Sequence, residues 1–273
     1  MTEVNDAHAA YRDFPLGGQL GHLEYLVTPE VLEKFRLSVS YPDARFPNLA
    51  AREFQEVLTR KIGNLPLVSV KHVDRYYTPP ILHRRVQVTG WLRESLHQEG
   101  RDWLVVETFA VDEIGTEIIR SVHTFVVGDQ RLEVAAMASD NSDGPAREEL
   151  PPLVKIPTKE DLAQLEELNC HLAGGGKLAT TSKDFLPEEM SFSYLHELAD
   201  RRFGIDFRQG GCLSVQYLAP VQVGDQLTAR GWVQREDQIN GRDQFKLYLR
   251  LENQRGEITS EGEADVLVPS PLT

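Results

Sequence analysis

Four groups of side chains in this chain could do chemistry. The first is His196-Glu197, an imidazole beside a carboxylate, within Met190–Gly204 (MSFSYLHELADRRFG). The second is Glu56, within Leu49–Gly63 (LAAREFQEVLTRKIG). The third is His171 with Asp184, which flank the run Gly174-Gly175-Gly176. The fourth is the two basic pairs Arg60-Lys61 and Arg201-Arg202. Carboxylates and imidazoles are the usual movers of protons, and a carboxylate can also attack a carbonyl. Basic pairs at the end of a helix complement its dipole, and the same charges can hold phosphate. The glycine run followed by Lys177 lacks the Gly-x-x-x-x-Gly-Lys-Ser/Thr spacing of a phosphate loop. It reads as a flexible loop whose Gly175 and Gly176 can still line a pocket.

The elements that carry these groups are written twice. Shifted by 141 positions, Glu197 meets Glu56, Arg201 meets Arg60 and Gly204 meets Gly63. The register continues without a gap: Tyr217 falls on Tyr76, Gly231-Trp232 on Gly90-Trp91, and Gly241-Arg242-Asp243 on Gly100-Arg101-Asp102. A repeat of this length means two copies of one module. The apolar residues Phe192, Leu195, Ala199 and Phe203 share one face of a helix over 187–203, as Ala51, Phe54, Leu58 and Ile62 do over 48–62. Glu197 and Glu56 point nearly the opposite way, with His196 and Gln55 on the flank.

Around the long helices the pattern predicts a strand at 22–27 and a short helix opened by Thr28-Pro29. Strands follow at 68–77, 84–92, 103–112 and 117–127. The second copy predicts a strand at 153–156, a helix at 158–168, and strands near 211–218, 226–235, 244–253 and 257–268. The Gly-Arg-Asp triplets read as hairpin turns. Residues 138–152 are rich in Ser, Asp, Gly and Pro and read as a linker between units at 1–137 and 153–273.

Composition bounds the function. The chain has 273 residues, a net charge of −13, 41% hydrophobic residues and a mean hydropathy of −0.35. The charge argues against a general nucleic-acid or anionic-membrane binder. No apolar run reaches the length of a membrane span, and the N-terminus is not that of a signal peptide. Cys170 and Cys212 make no disulfide framework and no metal spacing, so a reduced, cytoplasmic protein is expected. His72, His83 and His123 have no ligand spacing either and are expected to be structural.

The order strand, short helix, loop, long helix, hairpins, with Tyr-x-x-Pro and Gly224-Asp225-Gln226-Leu227, resembles the hotdog fold. Two units in one chain resemble a double hotdog of the thioesterase / MaoC-like dehydratase superfamily. The fold class this implies is α+β, a tandem hotdog in which each unit wraps a curved antiparallel sheet around a long helix, forming an intrachain pseudo-dimer. The resemblance implies an acyl thioester of coenzyme A or acyl carrier protein as substrate, no bound cofactor, acyl carrier protein as a candidate partner and homo-oligomers of the chain. Leu195-His196-Glu197-Leu198-Ala199 is similar to the helix of phenylacetyl-CoA-type thioesterases, which implies Glu197 as nucleophile or general base, with Glu56 as its copy. The His-Gly-Gly that family carries before the helix is here Leu186-Pro187-Glu188-Glu189-Met190. The MaoC-like hydratases instead use Gly-Asp-x-Asn-Pro-x-His, which neither copy carries; His171 with Asp184 is the nearest substitute. On the same resemblance Arg60, Lys61, Arg201 and Arg202 would face the phosphates of coenzyme A. Thioester hydrolysis is the first expectation, hydration or dehydration of an enoyl thioester the alternative, and acyl binding without catalysis the third.

Overall fold

The 141-residue repeat is visible strand by strand in the computed structural model, which describes residues 14–42, 67–128, 148–172 and 184–270. In the N-terminal half these are β1 (Gln19–Leu26), α1 (Pro29–Ser38), β2 (Leu67–Tyr76), β3 (Arg85–Gln98), β4 (Arg101–Asp112) and β5 (Glu117–Val127). Then come β6 (Glu148–Glu149), β7 (Leu153–Lys155), α2 (Lys159–Leu172), α3 (Glu188–Phe203) and a short α4 (Ile205–Arg208). The chain closes with β8 (Cys212–Tyr217), β9 (Leu227–Ile239), β10 (Arg242–Glu252) and β11 (Ile258–Pro269). Moved by 141, strands β2 to β5 overlie β8 to β11. The predicted helix at 48–62, with Glu56, Arg60 and Lys61, lies outside the described residues, as do Gly175 and Gly176.

Local chemistry explains the matched turns. Asp112 Oδ1 accepts from the backbone N–H of Ile114 and Thr116, at 3.1 and 2.8 Å. Asn253, its counterpart, accepts from Arg255 and Glu257 at 3.0 and 3.1 Å. Both residues offer a short side-chain oxygen that fixes the turn. The glycine of each Gly-Arg-Asp triplet closes a two-residue hairpin turn: Glu99-Gly100 and Asn240-Gly241 all have positive φ, between 52° and 74°. Such turns match the twist of antiparallel strands and favour glycine at the second position.

All the strands join one antiparallel sheet, in the order β1-β3-β4-β5-β2-β8-β11-β10-β9-β6, with β7 also on β9. The two halves meet at β2 and β8, paired from Lys71↔Gln216 to Arg75↔Cys212. Helix α3 lies on the C-terminal strands, burying Phe192, Leu195, Ala199 and Phe203 as its periodicity requires. Helices α1 and α2 pack together across the halves; Thr28 caps α1 by accepting from Val31 N–H at 3.2 Å. One boundary moves. Residues 148–150, predicted as linker, belong to the sheet edge: Glu148 and Glu149 pair with β9, and Leu150 is buried against Gly231. A single buried leucine outweighs the polar composition around it. Among the described residues no helix is long and apolar enough to cross a membrane.

Gly262 on β11 lets α3 approach the sheet. A Cβ there would sit 2.9 Å from the Ser214 carbonyl oxygen, 3.2 Å from Val215 Cγ2 and 3.7 Å from Leu195 Cδ1. Gly262→Val is therefore expected to destabilise the fold by about 1–3 kcal/mol, read from urea unfolding.

Candidate active site on the N-terminal sheet face

Side chains alternate along a strand, so His72, Asp74 and Tyr76 of β2 share one face. The register sets His123 of β5 opposite His72, and Ser121 opposite Asp74. Thr108 of β4 lies opposite Ser121. All six are buried, Asp74 and Ser121 completely, His72 and His123 at 2% and 4% exposure. The repeat shows how unusual this is. At the corresponding C-terminal positions the chain has Leu213, Val215, Gly262, Ala264 and Leu249 in place of His72, Asp74, Ser121, His123 and Thr108. One copy of the face is core; the other is a sheet of buried polar groups.

The polar groups touch. His72 Nε2 lies 2.7 Å from Asp74 Oδ1, and Tyr76 Oη donates to Asp74 Oδ2 at 3.2 Å. The His123 ring is 3.9 Å from that of His72, centroid to centroid. From α3, Phe192 stacks on His72 at 4.1 Å, and one turn on, His196 meets Tyr76 edge-on at 5.3 Å. Ser121 Oγ, His123 Nε2 and His196 Nε2 are buried with no hydrogen-bond partner among the described residues. Each such atom costs about 1–3 kcal/mol, and a native protein that keeps several together has a use for them or holds solvent there. Burial, with His72 alongside, pushes the His123 imidazole well below the usual histidine range. Burial also lowers His196, against the opposing charges of Asp200 and Asp74. Burial and the neighbouring Asp74 push Tyr76 well above the phenol range, so it stays a neutral donor.

Of the residues singled out from sequence, His196 borders this face, and the others that lie among the described residues sit elsewhere. Glu197 is fully buried, with carboxylate oxygens 2.7 Å from Lys155 Nζ and 2.5 Å from Arg201, at angles that make ion pairs rather than hydrogen bonds. Lys155 Nζ in turn donates to the Ser40 carbonyl at 2.6 Å, so Glu197 does face the other half of the molecule. These contacts account for its burial as a charge-paired anchor between halves. Arg201 also lies over the Tyr41 ring, and Arg202 pairs with Glu148 at 3.0 Å. His171 is exposed in the last turn of α2, and Asp184 is exposed in the turn before α3. No contact joins these two among the described residues. Sequence spacing alone gives His72 and His123 no role beyond a structural one, because neither has ligand spacing. The available signal was polarity at inward strand positions of one repeat copy, apolar in the other.

Neither a protein-family model nor a curated protein matches this chain by sequence. Solved structures do match by fold. A MaoC-like dehydratase superposes with a TM-score of 0.65 at 14% identity, over 94% of this chain and 98% of that one. A Mycobacterium tuberculosis protein described as a double hotdog gives 0.59 at 10% identity, over 94% and 98%. A Lactobacillus plantarum protein whose description names an oleoyl thioesterase gives 0.55 at 10%, over 95% and 100%. The chain has the double hotdog fold.

A depressed imidazole makes stability pH-dependent. The unfolded histidine titrates near 6.5, the folded His123 well below it. The unfolded chain therefore takes the proton first, and stability, complete above about pH 6.5, falls as pH drops towards the folded value. Between pH 7 and 5.5 this costs about 1 kcal/mol for one such histidine. His123→Leu is expected to remove that share of the loss, measured by urea unfolding at the two pH values.

Proposed function

We propose that this protein binds an acyl thioester and hydrates, or in reverse dehydrates, its acyl chain by acid–base catalysis at His72 and Asp74. The observation that carries the reading is the buried His72–Asp74 pair, 2.7 Å apart, on the half of a double hotdog whose copy is apolar. With Nε2–H donated to Asp74, Nδ1 of His72 is the basic nitrogen. It takes a proton from water as the water oxygen bonds to C3 and the C2=C3 electron pair moves onto the thioester as an enolate. The same imidazolium then returns its proton to C2, so one proton leaves water and one reaches carbon. Asp74 holds the ring in the required tautomer and offsets its transient charge; Tyr76 in turn fixes the carboxylate.

Hydrolysis is the second reading, favoured by the Leu-His-Glu-Leu-Ala helix. It requires Glu197 to leave Lys155 and Arg201, or to act while paired to both. The carrier on the thioester is coenzyme A or acyl carrier protein.

Incubation with crotonyl-CoA, following enoyl absorbance and thiol release in parallel, separates the readings. Loss of enoyl absorbance without thiol is expected, and Asp74→Asn should slow it by about 100-fold or more. Thiol release abolished by Glu197→Gln would move the assignment to hydrolysis.

A further inference from the structure

Resting on that reading, we infer that the N-terminal sheet face is the single acyl site of the repeat pair, and that it selects an acyl group bearing an uncharged oxygen beyond the reacting carbons. Starting from His72 and Asp74 on β2, the buried polar groups continue outward across the sheet, to His123 and Ser121 on β5 and then Thr108 on β4. Adjacent strands lie about 4.8 Å apart, so this path spans roughly 10 Å, the reach of several carbons beyond a reacting C2–C3 bond. Its unpaired atoms are Ser121 Oγ and His123 Nε2, on side chains that are fully buried and 4% exposed. A hydroxyl can donate and accept, and a neutral imidazole nitrogen can do either according to tautomer, so together they suit a hydroxyl or carbonyl oxygen. A saturated alkyl chain would leave them unpaired.

Charge narrows the class further. Among the described residues Asp74 has no ion-pair partner besides His72. His123 is held neutral by its burial. A carboxylate at the end of the acyl group would find no fixed cation among the described residues of this face. The C-terminal face has no equivalent chemistry. At its matching positions Leu213, Val215, Ala264 and Leu249 are buried in the core under α3, and Gly262 leaves no side chain at all.

The test is titration calorimetry of the full chain with three thioether analogues that neither hydrolyse nor dehydrate: S-hexyl-CoA, S-(5-hydroxyhexyl)-CoA and S-(5-carboxypentyl)-CoA. The expected result is one ligand per chain, the hydroxylated analogue bound about tenfold more tightly than the hexyl one, and the carboxylated one weakest. Ser121→Ala should bring the first two affinities together and raise the melting temperature, because it deletes an unpaired buried hydroxyl. His123→Leu should act in the same direction on binding. Equal affinities in the native protein, a preference that survives both substitutions, or two ligands per chain would overturn the inference while leaving thioester binding in place. If Ser121→Ala changes neither the affinities nor the melting temperature, the hydroxyl is paired to water and the selection is absent. Failure of all three analogues to bind would remove the acyl-thioester reading itself, and this inference with it.

Discussion

The pairing of β2 with β8 is the constraint on which the rest of the molecule depends. It joins two sheets of the same pattern into one and sets His72 beside Val215 and Asp74 beside Leu213. It also carries α3, a helix of the C-terminal half, to the edge of the N-terminal face, where Phe192 covers His72 and His196 meets Tyr76. A second contact holds the halves in place. Lys155 bridges the carboxylate of Glu197 to the chain carbonyl of Ser40, and Tyr41 Oη donates to Asp200 at 2.7 Å. A buried ion pair is a weak source of net stability but is costly to break, so such a contact fixes geometry more than it adds affinity.

The two copies then divide the work. A hotdog sheet needs an apolar inner face to hold its helix, and the C-terminal copy supplies one with Leu213, Val215, Leu249 and Ala264. The N-terminal copy keeps the strand alternation but places ionisable and hydroxylated groups at the inward positions. Polar groups there lower stability unless paired, and two of the atoms, Ser121 Oγ and His123 Nε2, have no partner among the described residues. Natural proteins keep such conflicts at functional sites. That these polar groups fill the inward strand positions of one copy, where the matching positions of the other are apolar or glycine, separates them from a feature the fold itself demands.

Most of the fold was legible in the sequence. Strands β2, β4, β5, β8, β10 and β11 fall close to where alternation and turn residues predict them, and β5 at 117–127 matches throughout; β3 and β9 start as predicted but continue to Gln98 and Ile239, past the predicted ends at 92 and 235. The hairpin glycines and the apolar face of α3 follow from backbone geometry and period alone. What escaped is which side chains the fold buries and pairs. Glu197 reads as a free helix carboxylate because its partner Lys155 lies 42 residues away, on a strand with no motif. His72 and Asp74 are two residues apart, a spacing that brings them together only if the segment is a strand. The edge pairing of residues 148–150 hides in a segment of polar composition, because one leucine does not set a periodicity.

The most direct measurement is a crystal structure of the Asp74→Asn protein with crotonyl-CoA bound. The account requires the acyl chain to lie on the N-terminal sheet face, with C3 roughly 3.5 Å from the water or nitrogen served by His72, and its C4 methyl directed towards Ser121. An acyl chain lodged beside Glu197, or between α3 and the C-terminal strands, would contradict it.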